Sequence, residues 1–426
     1  MPSPLADPVK LPCGLVLPNR LSKAAMAELI AKTNEPTDTL NDAYRQWSRG
    51  GWGCILTGAQ KLRHLSGINL ADLDQGNVQV DVNHLGSPFD PALHDEYTGD
   101  AALVTQWKSY ADTCQQHGTP AIVQICHPGR QSFRVAGRRG VFAQTLAPSA
   151  VPVSLGSGLL ERAIACLTWP SPKEMTRADI ERVIRQFVDT ARLMADAGFS
   201  GVELHGAHGY LIAKTNLRTD EYGGTPANRA RFLLDILAET RKVVPATFCI
   251  GVKLNSADHS SATFEDTMTQ IALLAGAGID FLEISGGTYE DPRMMGYDSA
   301  SASAAPVSAR TAAREAFFLE FATQVRARHP ALALMLTGGF RSRAGAEAAI
   351  RDGACDLVGI ARPAAVDPSF ALRLLDEGVP EERARVSLNK APVPVYARFL
   401  PRNIIGAGAE SIQRLAKGLV TAGPAA

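Results

Sequence analysis

Short apolar runs, each followed by a longer stretch with helical period, recur along the chain. Runs near 22–26, 54–58, 121–126, 201–205, 248–254, 280–285, 332–337 and 356–360 are short, apolar or β-branched, and predict buried strands. Between them the periodicity fits helices over 105–117, 177–197, 227–243, 264–277, 312–328 and 343–352. The clearest of these, 177–197, puts Ile180, Val183, Ile184, Phe187, Ala191 and Met194 on one face. Thr176 and Asp179 form a capping signal before it, and Gly198 is a stop after it. Strands that alternate with helices become parallel strands joined by right-handed crossovers. Eight such units without a Gly-rich first turn predict a closed α/β fold, the (β/α)8 TIM barrel, over an open doubly wound sheet.

Two stretches interrupt the alternation. Residues 61–104 and 127–175 follow the second and third strands, are rich in Gly, Pro, Ser and polar residues, and do not fit a helix. Loops at the carboxyl ends of barrel strands are where such folds build their sites. The barrel is expected to occupy residues 1–375. Residues 376–426, with the dipeptides Ala391-Pro392 and Val393-Pro394, are expected to form a C-terminal extension packed on or beside it. Gly406 and Gly408 follow no clear strand and make a weak dinucleotide signal.

Composition narrows the function classes. Lys plus Arg equals Asp plus Glu at 43 each, so no excess positive field exists to gather nucleic acid or anionic lipid. The first residues contain no apolar segment of the secretory kind, and no run is long enough to span a bilayer; a cytoplasmic location is expected. The seven cysteines are scattered without a C-x-x-C pair, which predicts small buried apolar residues, with no disulfide framework or Cys-held metal centre.

Chemistry concentrates at strand ends. Thr337-Gly338-Gly339-Phe340 ends the seventh strand and Gly359-Ile360-Ala361-Arg362-Pro363 the eighth, where barrels often hold a phosphate. Bare glycine backbone lets N–H groups approach an anion, and Arg362 can meet it with a planar fork. The fourth strand ends in Val202-Glu203-Leu204-His205-Gly206-Ala207-His208-Gly209-Tyr210. Two histidines three residues apart fit a pair of donors around an oxyanion, a metal site completed by Glu203, or core imidazoles satisfied by hydrogen bonds.

Several segments together resemble the Old Yellow Enzyme family of FMN-dependent ene-reductases. They are Leu17-Pro18-Asn19-Arg20, Val123 to Arg130, His205 to Tyr210, Arg218 to Gly224, Asn228 to Phe232 and the two glycine-bearing strand ends. They stand in family order over about residues 15 to 370. Lys23-Ala24-Ala25-Met26 and Ile284 to Tyr289 resemble one microbial subgroup. The resemblance implies FMN as cofactor, with NADPH or NADH as reductant and a small-molecule enone or related activated alkene as substrate, the two using one site in turn. It implies backbone contact with the flavin ring at Ala24, Ala25, Met26, Gly58 and Ala59. Gln124 would bond the pyrimidine edge, and Gly338, Gly339, Gly359 and Arg362 the phosphate. His205 and His208 would grip the substrate carbonyl oxygen and Tyr210 would deliver a proton.

The chain also departs from the family. Lys253 stands where most members have Arg near the flavin N1 edge, giving a point charge in place of a planar fork. Ala27 replaces a Thr or Cys that often tunes the flavin, and the segment from Leu211 to Arg218 is shorter than usual. Larger relatives add an iron–sulfur cluster and further domains; a single-cofactor FMN reductase, monomer or homo-oligomer, is the simpler expectation here. The alternatives are an FMN-binding barrel with weak or no ene-reductase activity, serving a binding or regulatory role, and a metal-dependent aldolase or hydrolase on the same barrel.

Overall fold

A computed structural model describes residues 2–26, 35–58, 78–86, 90–93, 96–134, 136–212, 216–256, 261–285 and 319–386. Strands β1 (Val9–Lys10) and β2 (Val16–Leu17) pair antiparallel as an N-terminal hairpin. The barrel follows with β3 (Leu21–Lys23) and β4 (Cys54–Thr57). Strand β5 (Val78–Gln79) lies beside β6 (Ala121–Cys126), and β7 (Thr145–Ala147) pairs with β8 (Pro172–Glu174) in a separate two-stranded sheet. The remaining strands are β9 (Gly201–Gly206), β10 (Cys249–Asn255), β11 (Phe281–Ser285), β12 (Leu334–Thr337) and β13 (Leu357–Ile360).

Parallel pairing runs β3, β4, β6, β9, β10, β11, β12, β13 and back to β3, which closes an eight-stranded barrel. All eight runs expected from the hydrophobic pattern become barrel strands, with ends shifted by up to three residues. The helices are α1 (Asp38–Ser48), α2 (Ala101–Gln115), α3 (Leu159–Thr168), α4 (Arg177–Asp196), α5 (Pro226–Val243) and α6 (Ser261–Gly276). They continue with α7 (319–328), α8 (Arg343–Arg351), α9 (Arg362–Val366) and α10 (Phe370–Leu375). In α4 the Thr176 side chain accepts from the Asp179 N–H while Asp179 reaches back, so the capping box forms, and Gly198 just beyond the helix takes φ 90°.

Several elements were not in the sequence pattern, among them the short strands β1, β2, β5, β7 and β8 and the short helices α9 and α10; three longer helices differ most. α3 arises inside 127–175, where no helix was expected: Leu159, Leu160 and Leu167 are exposed and Ala165 alone is buried, so its period points away from the core. α2 starts at Ala101, inside the first predicted loop, because Asp100 caps it by accepting from the Ala102 N–H. α1 has a buried face of Leu40, Ala43, Tyr44 and Trp47 that the strand and helix pattern did not single out. Of the expected C-terminal extension, residues 376–386 lie along the barrel: Arg343 donates to the Asp376 carbonyl, and Val386 N–H to that of Arg341. Residues 387–426, with both Pro dipeptides, Gly406 and Gly408, lie outside the described residues, as do Ala27 and Ala59. Among the described residues no helix is long and apolar enough to cross a membrane.

The period of two along each strand sorts side chains sharply. Leu21, Ile55, Val123, Val202, Leu204, Ile250, Val252, Leu282, Ile284, Leu334, Leu336, Val358 and Ile360 face outward into the core shared with the helices. Cys54, Leu56, Ile122, Cys249, Phe281, Met335 and Leu357 face inward at the amino end, together with Leu11 and Leu17 of the hairpin, which plugs that end. Gly251 sits opposite Phe281, whose ring would lie 2.2 Å from a Cβ there, so only glycine admits the aromatic into the layer.

Candidate functional site

Continuing that alternation toward the carboxyl end, the inward positions change from apolar to polar. The next inward set is Ser22, Gln124, Glu203, Glu283, Thr337 and Gly359, followed by Ala24, Gly58, Cys126, His205, Lys253 and Ser285. The two sides of the barrel differ. On β13, β3 and β4 the positions are small, while β6, β9, β10 and β11 carry the charged and hydrogen-bonding side chains. Ser22 Oγ and Thr337 Oγ1 are buried with no hydrogen-bond partner among the described residues, a costly condition unless a polar ligand or water meets them.

His205 leaves β9 pointing inward, and its Nδ1 accepts the Ala207 N–H at 3.2 Å. In the neutral ring the proton therefore sits on Nε2, which makes that atom a donor. His208 follows in a tight turn at φ 60°, the one positive φ of a non-glycine residue among those described. A left-handed histidine persists only where its surroundings hold it. Asn255 Oδ1 accepts the His208 N–H at 3.1 Å, Gln131 Nε2 donates to its carbonyl at 2.9 Å, and Ser285 Oγ lies 3.2 Å from its Nε2. The two imidazoles stand 4.9 Å apart between ring centres, and the Tyr210 ring is 4.6 Å from His205. Tyr210 is buried against Cys126, Val153, Leu155, Ala165 and Trp169, so the excursion that contains α3 forms the outer wall of this loop.

Burial, then the mutual repulsion with His208 and the Lys253 charge, holds His205 well below the usual histidine range. Burial and Lys253 do the same to His208. Both rings are therefore neutral donors near neutral pH. Beneath them Lys253 Nζ meets Glu283 Oε1 at 2.7 Å in a buried ion pair. Gln124 Nε2 donates to Glu203 Oε2. Burial, reinforced by the neighbouring Glu283, pushes the Glu203 carboxyl well above the usual carboxylate range, so it stays protonated beside its charged neighbours. Glu203 turns to Gln124 and Glu283, away from His205 and His208, which removes the carboxylate that a metal reading of the histidines needed.

On the opposite side, β12 and β13 pair with Thr337 beside Gly359, where a Cβ would lie 1.9 Å from Thr337 Oγ1. Gly338 (φ 141°) and Gly339 (φ 88°) follow in conformations that L side chains rarely adopt, and Arg362 opens α9. The two glycine-bearing segments read from the sequence are thus neighbours at the carboxyl end of the barrel. Ala24 follows β3 directly, with its N–H on the Ile360 carbonyl, and Ala25 and Met26 come next. Gly58 is held by the Tyr44 hydroxyl, which accepts its N–H at 2.6 Å and donates to its carbonyl at 2.8 Å.

A second polar hub steadies the histidine loop from outside. The Asp81 carboxylate accepts from the Asn83 N–H and side chain and from His84 Nδ1, all within 2.9 Å. Burial opposes its ionisation, but the His84 hydrogen bond and charge keep its pKa far below the usual range. His127 Nδ1 accepts the Gly129 N–H at 3.0 Å, so its Nε2 carries the proton; it lies 3.9 Å from Asp81 Oδ2, too far for a hydrogen bond. The cluster Asp81, His84 and His127 has metal-like spacing, yet this tautomer makes it a hydrogen-bond hub. The His127 carbonyl in turn accepts the Leu211 N–H at 3.1 Å, tying the hub to the loop beyond Tyr210.

Sequence reasoning did not assign roles to Asn255, Gln131, Glu283 or Tyr44. Strand parity would have found Asn255 and Glu283, since 249, 251, 253 and 255, and 281, 283 and 285, face one way. Gln131 and Tyr44 give no such signal, because they reach the site from an irregular segment and a helix.

Comparison with known proteins fits this architecture. The profile of the NADH:flavin oxidoreductase / NADH oxidase family matches residues 4–382. The NADH-dependent flavin oxidoreductase iccE of Talaromyces variabilis is 45% identical over 380 residues, covering 85% of this chain and 84% of that protein. The NADH-dependent flavin oxidoreductase iliE of Neonectria sp. (strain DH2) is 45% identical over 368 residues, covering 85% of this chain; the match spans only 45% of that protein's length. The Old Yellow Enzyme homologue from Zymomonas mobilis is similar in fold, with TM-score 0.65, 21% identity, and coverage of 95% of this chain and 98% of that one. This chain belongs to the NADH:flavin oxidoreductase / NADH oxidase family, the Old Yellow Enzyme group of (β/α)8 barrels that work with FMN and NADH or NADPH.

Proposed function

We propose that this protein is an ene-reductase, moving hydride from NADH or NADPH by way of FMN to the β-carbon of an α,β-unsaturated carbonyl compound. The observation that carries the reading is the pair of buried neutral imidazoles, His205 and His208, whose ring centres lie 4.9 Å apart at the mouth of a barrel with a polar upper interior. FMN suits the residues present. Small inward positions at Ser22, Ala24, Gly58 and Gly359 leave one side bare, while Gln124 and Lys253 offer a donor and a positive charge on the other. Gly338, Gly339, Gly359 and Arg362 would hold its phosphate, and Ala24, Ala25, Met26 and Gly58 would line its ring. Bound FMN supplies the two-electron chemistry.

The protein's own part is electrostatic and protonic. Addition of hydride at the β-carbon places enolate charge on the carbonyl oxygen, and His205 Nε2–H together with His208 would hold that oxygen as charge develops. Neutral donors serve better here than imidazolium ions, because the charge they meet is transient and their protons stay in place. Tyr210, against the His205 ring, would deliver the proton to the α-carbon. The shells behind these groups hold them in position: Ala207 sets the His205 tautomer, and Asn255, Gln131 and Ser285 hold His208 in its left-handed turn.

The competing reading, a barrel that binds FMN without efficient reduction, draws on Lys253, whose charge Glu283 compensates. Anaerobic spectra of the FMN-loaded protein separate the two. NADH or NADPH should bleach the flavin band, and a simple enone should restore it. A phenol should give a long-wavelength charge-transfer band that is lost in the His205→Ala/His208→Ala double variant with FMN still bound. A band that persists under excess of both nicotinamides supports the binding protein; an undiminished phenol complex in the double variant removes the histidines from the oxyanion role.

A further inference from the structure

At the amino end of the barrel, in the turn of the β1–β2 hairpin, half-buried Cys13 faces Cys249, the first residue of β10. Their sulfur atoms and an Asp280 carboxylate oxygen lie within 4.8 Å of one another. The Cys249 thiol hydrogen-bonds to the Cys13 sulfur. Asp280 anchors both partners, accepting the Cys13 N–H on Oδ1 at 2.8 Å and the Ile250 N–H on Oδ2 at 2.7 Å. Arg241 donates to the same Oδ2 at 2.6 Å. A carboxylate already holding three donors, one of them a guanidinium, is a poor third ligand for a cation, so the trio is not read as a metal site.

We propose that Cys13 and Cys249 form a peroxide-reactive thiol pair that closes to a disulfide, a modification site at the end of the barrel opposite the catalytic loops. Cys13 is the attacking group. It sits in a turn between exposed Pro12 and Gly14, where a hydroperoxide can reach it, and the hydrogen bond from Cys249 favours its thiolate. Cys249 is the resolving group, fully buried and kept as a thiol by its surroundings. The Cys13 sulfur attacks one peroxide oxygen, the O–O bond breaks, and hydroxide leaves, so that Cys13 is oxidised to a sulfenic acid. The Cys249 sulfur then attacks the Cys13 sulfur; the S–O bond breaks, and the departing hydroxide takes up the Cys249 proton as water. Two thiols and one peroxide give one disulfide and two waters. The hairpin turn is the movable partner, because its tip carries Gly14 at φ 92° with open space around it. Cys249 and Lys253 are separated along β10 by about 13 Å, so the pair can close without touching the catalytic end.

The test uses the FMN-loaded protein, treated with a small excess of hydrogen peroxide, quenched with catalase, alkylated and digested without reductant. The expected product is a cross-linked peptide joining Cys13 to Cys249, lighter by two hydrogens than the sum of its parts and released by dithiothreitol. Exposed Cys166 should remain open to alkylation. In the Cys249→Ser protein Cys13 should stop as a sulfenic acid that dimedone captures, and in the Cys13→Ser protein Cys249 should stay reduced. The proposal is overturned if wild-type Cys13 advances to sulfinic acid while Cys249 stays reduced. It also fails if both thiols survive a peroxide dose that has already oxidised Cys166. Because the wild-type map alone decides between these results, a variant that fails to fold does not shelter the idea.

Discussion

The two ends of the barrel interior are built from the same eight strands and obey the same alternation, yet they do opposite things. At the amino end Leu56, Ile122, Phe281, Met335 and Leu357 meet the hairpin residues Leu11 and Leu17 in a closed apolar layer. Toward the carboxyl end the inward positions hold Gln124, Glu203, Lys253 and Glu283, and buried hydroxyls without partners among the described residues, beside a histidine held at φ 60°. The first arrangement lowers the free energy of the fold by removing apolar surface from water. The second raises it, since buried charge and backbone strain both cost stability, and persists because neighbouring groups hold it. Under the proposed function stability and chemistry are segregated along the barrel axis, and substitutions at the two ends should fail in different ways.

The largest expected effect is at the carboxyl end. Tyr210→Phe keeps the ring that packs on Trp169 and removes only the hydroxyl, so flavin reduction by nicotinamide should be nearly unchanged. Reoxidation by an enone should slow by about 10²- to 10⁴-fold, the usual contribution of a positioned proton donor. Stopped-flow traces of each half-reaction check this: equal slowing of both would mean a displaced loop, and none would exclude Tyr210 as the acid. At the amino end Phe281→Ala should behave conversely. It opens a hole beside Gly251 and should cost about 3–5 kcal/mol of stability while leaving turnover per folded molecule intact. Denaturant titration paired with active-site counting would break the comparison if turnover fell as steeply as stability.

A smaller effect is expected between the two ends. Glu283→Gln leaves the Lys253 charge uncompensated, and each 1.4 kcal/mol of added preference for the anionic reduced flavin raises the two-electron midpoint by about 30 mV. Potentiometry on the bound flavin should show the rise, and a lower midpoint would place Lys253 away from it. The most gradual effect is spread over pH. His127, His205 and His208 are all held by burial well below the ordinary histidine range. In the unfolded chain they take up protons below about pH 6.5, whereas the folded protein does not, so the unfolded state binds more protons and stability falls with falling pH. Each histidine contributes up to about 1.4 kcal/mol per pH unit in that window, until its own folded pKa is reached. Melting temperatures from pH 8 to 5 should decline below about 6.5, and less steeply in His208→Asn, since asparagine tolerates the left-handed turn and does not titrate.

Much of this was legible in the sequence, for reasons visible in particular residues. The eight strands showed because period two and short apolar runs are local, and the helix over 177–197 showed because its cap, its face and its stop are written within it. The motif-bearing positions His205, His208, Tyr210, Gly338, Gly339, Gly359 and Arg362 stood out because each lies near the carboxyl end of a strand, and closing the barrel brings those ends together; Gln124 stood out only through the family resemblance. α3 was hidden because its leucines face solvent, so its periodicity answers to nothing in the core. Tertiary structure alone decided what those residues meet. Glu203 sits two residues before His205 and could have been a metal ligand; β6 and β11 brought Gln124 and Glu283 to it and made it a protonated partner of both. The turn that bends His208 to φ 60° depends on Gln131, Asn255 and Ser285, distant in sequence; the register of β9, β10 and β11 brings Asn255 and Ser285 to it, and the segment after β6 brings Gln131. Cys13 and Cys249 are likewise far apart in the chain, and no spacing rule pairs them. Residue type and local period are properties of the sequence, whereas the partner across a closed barrel is set by shear and closure, which no local pattern encodes.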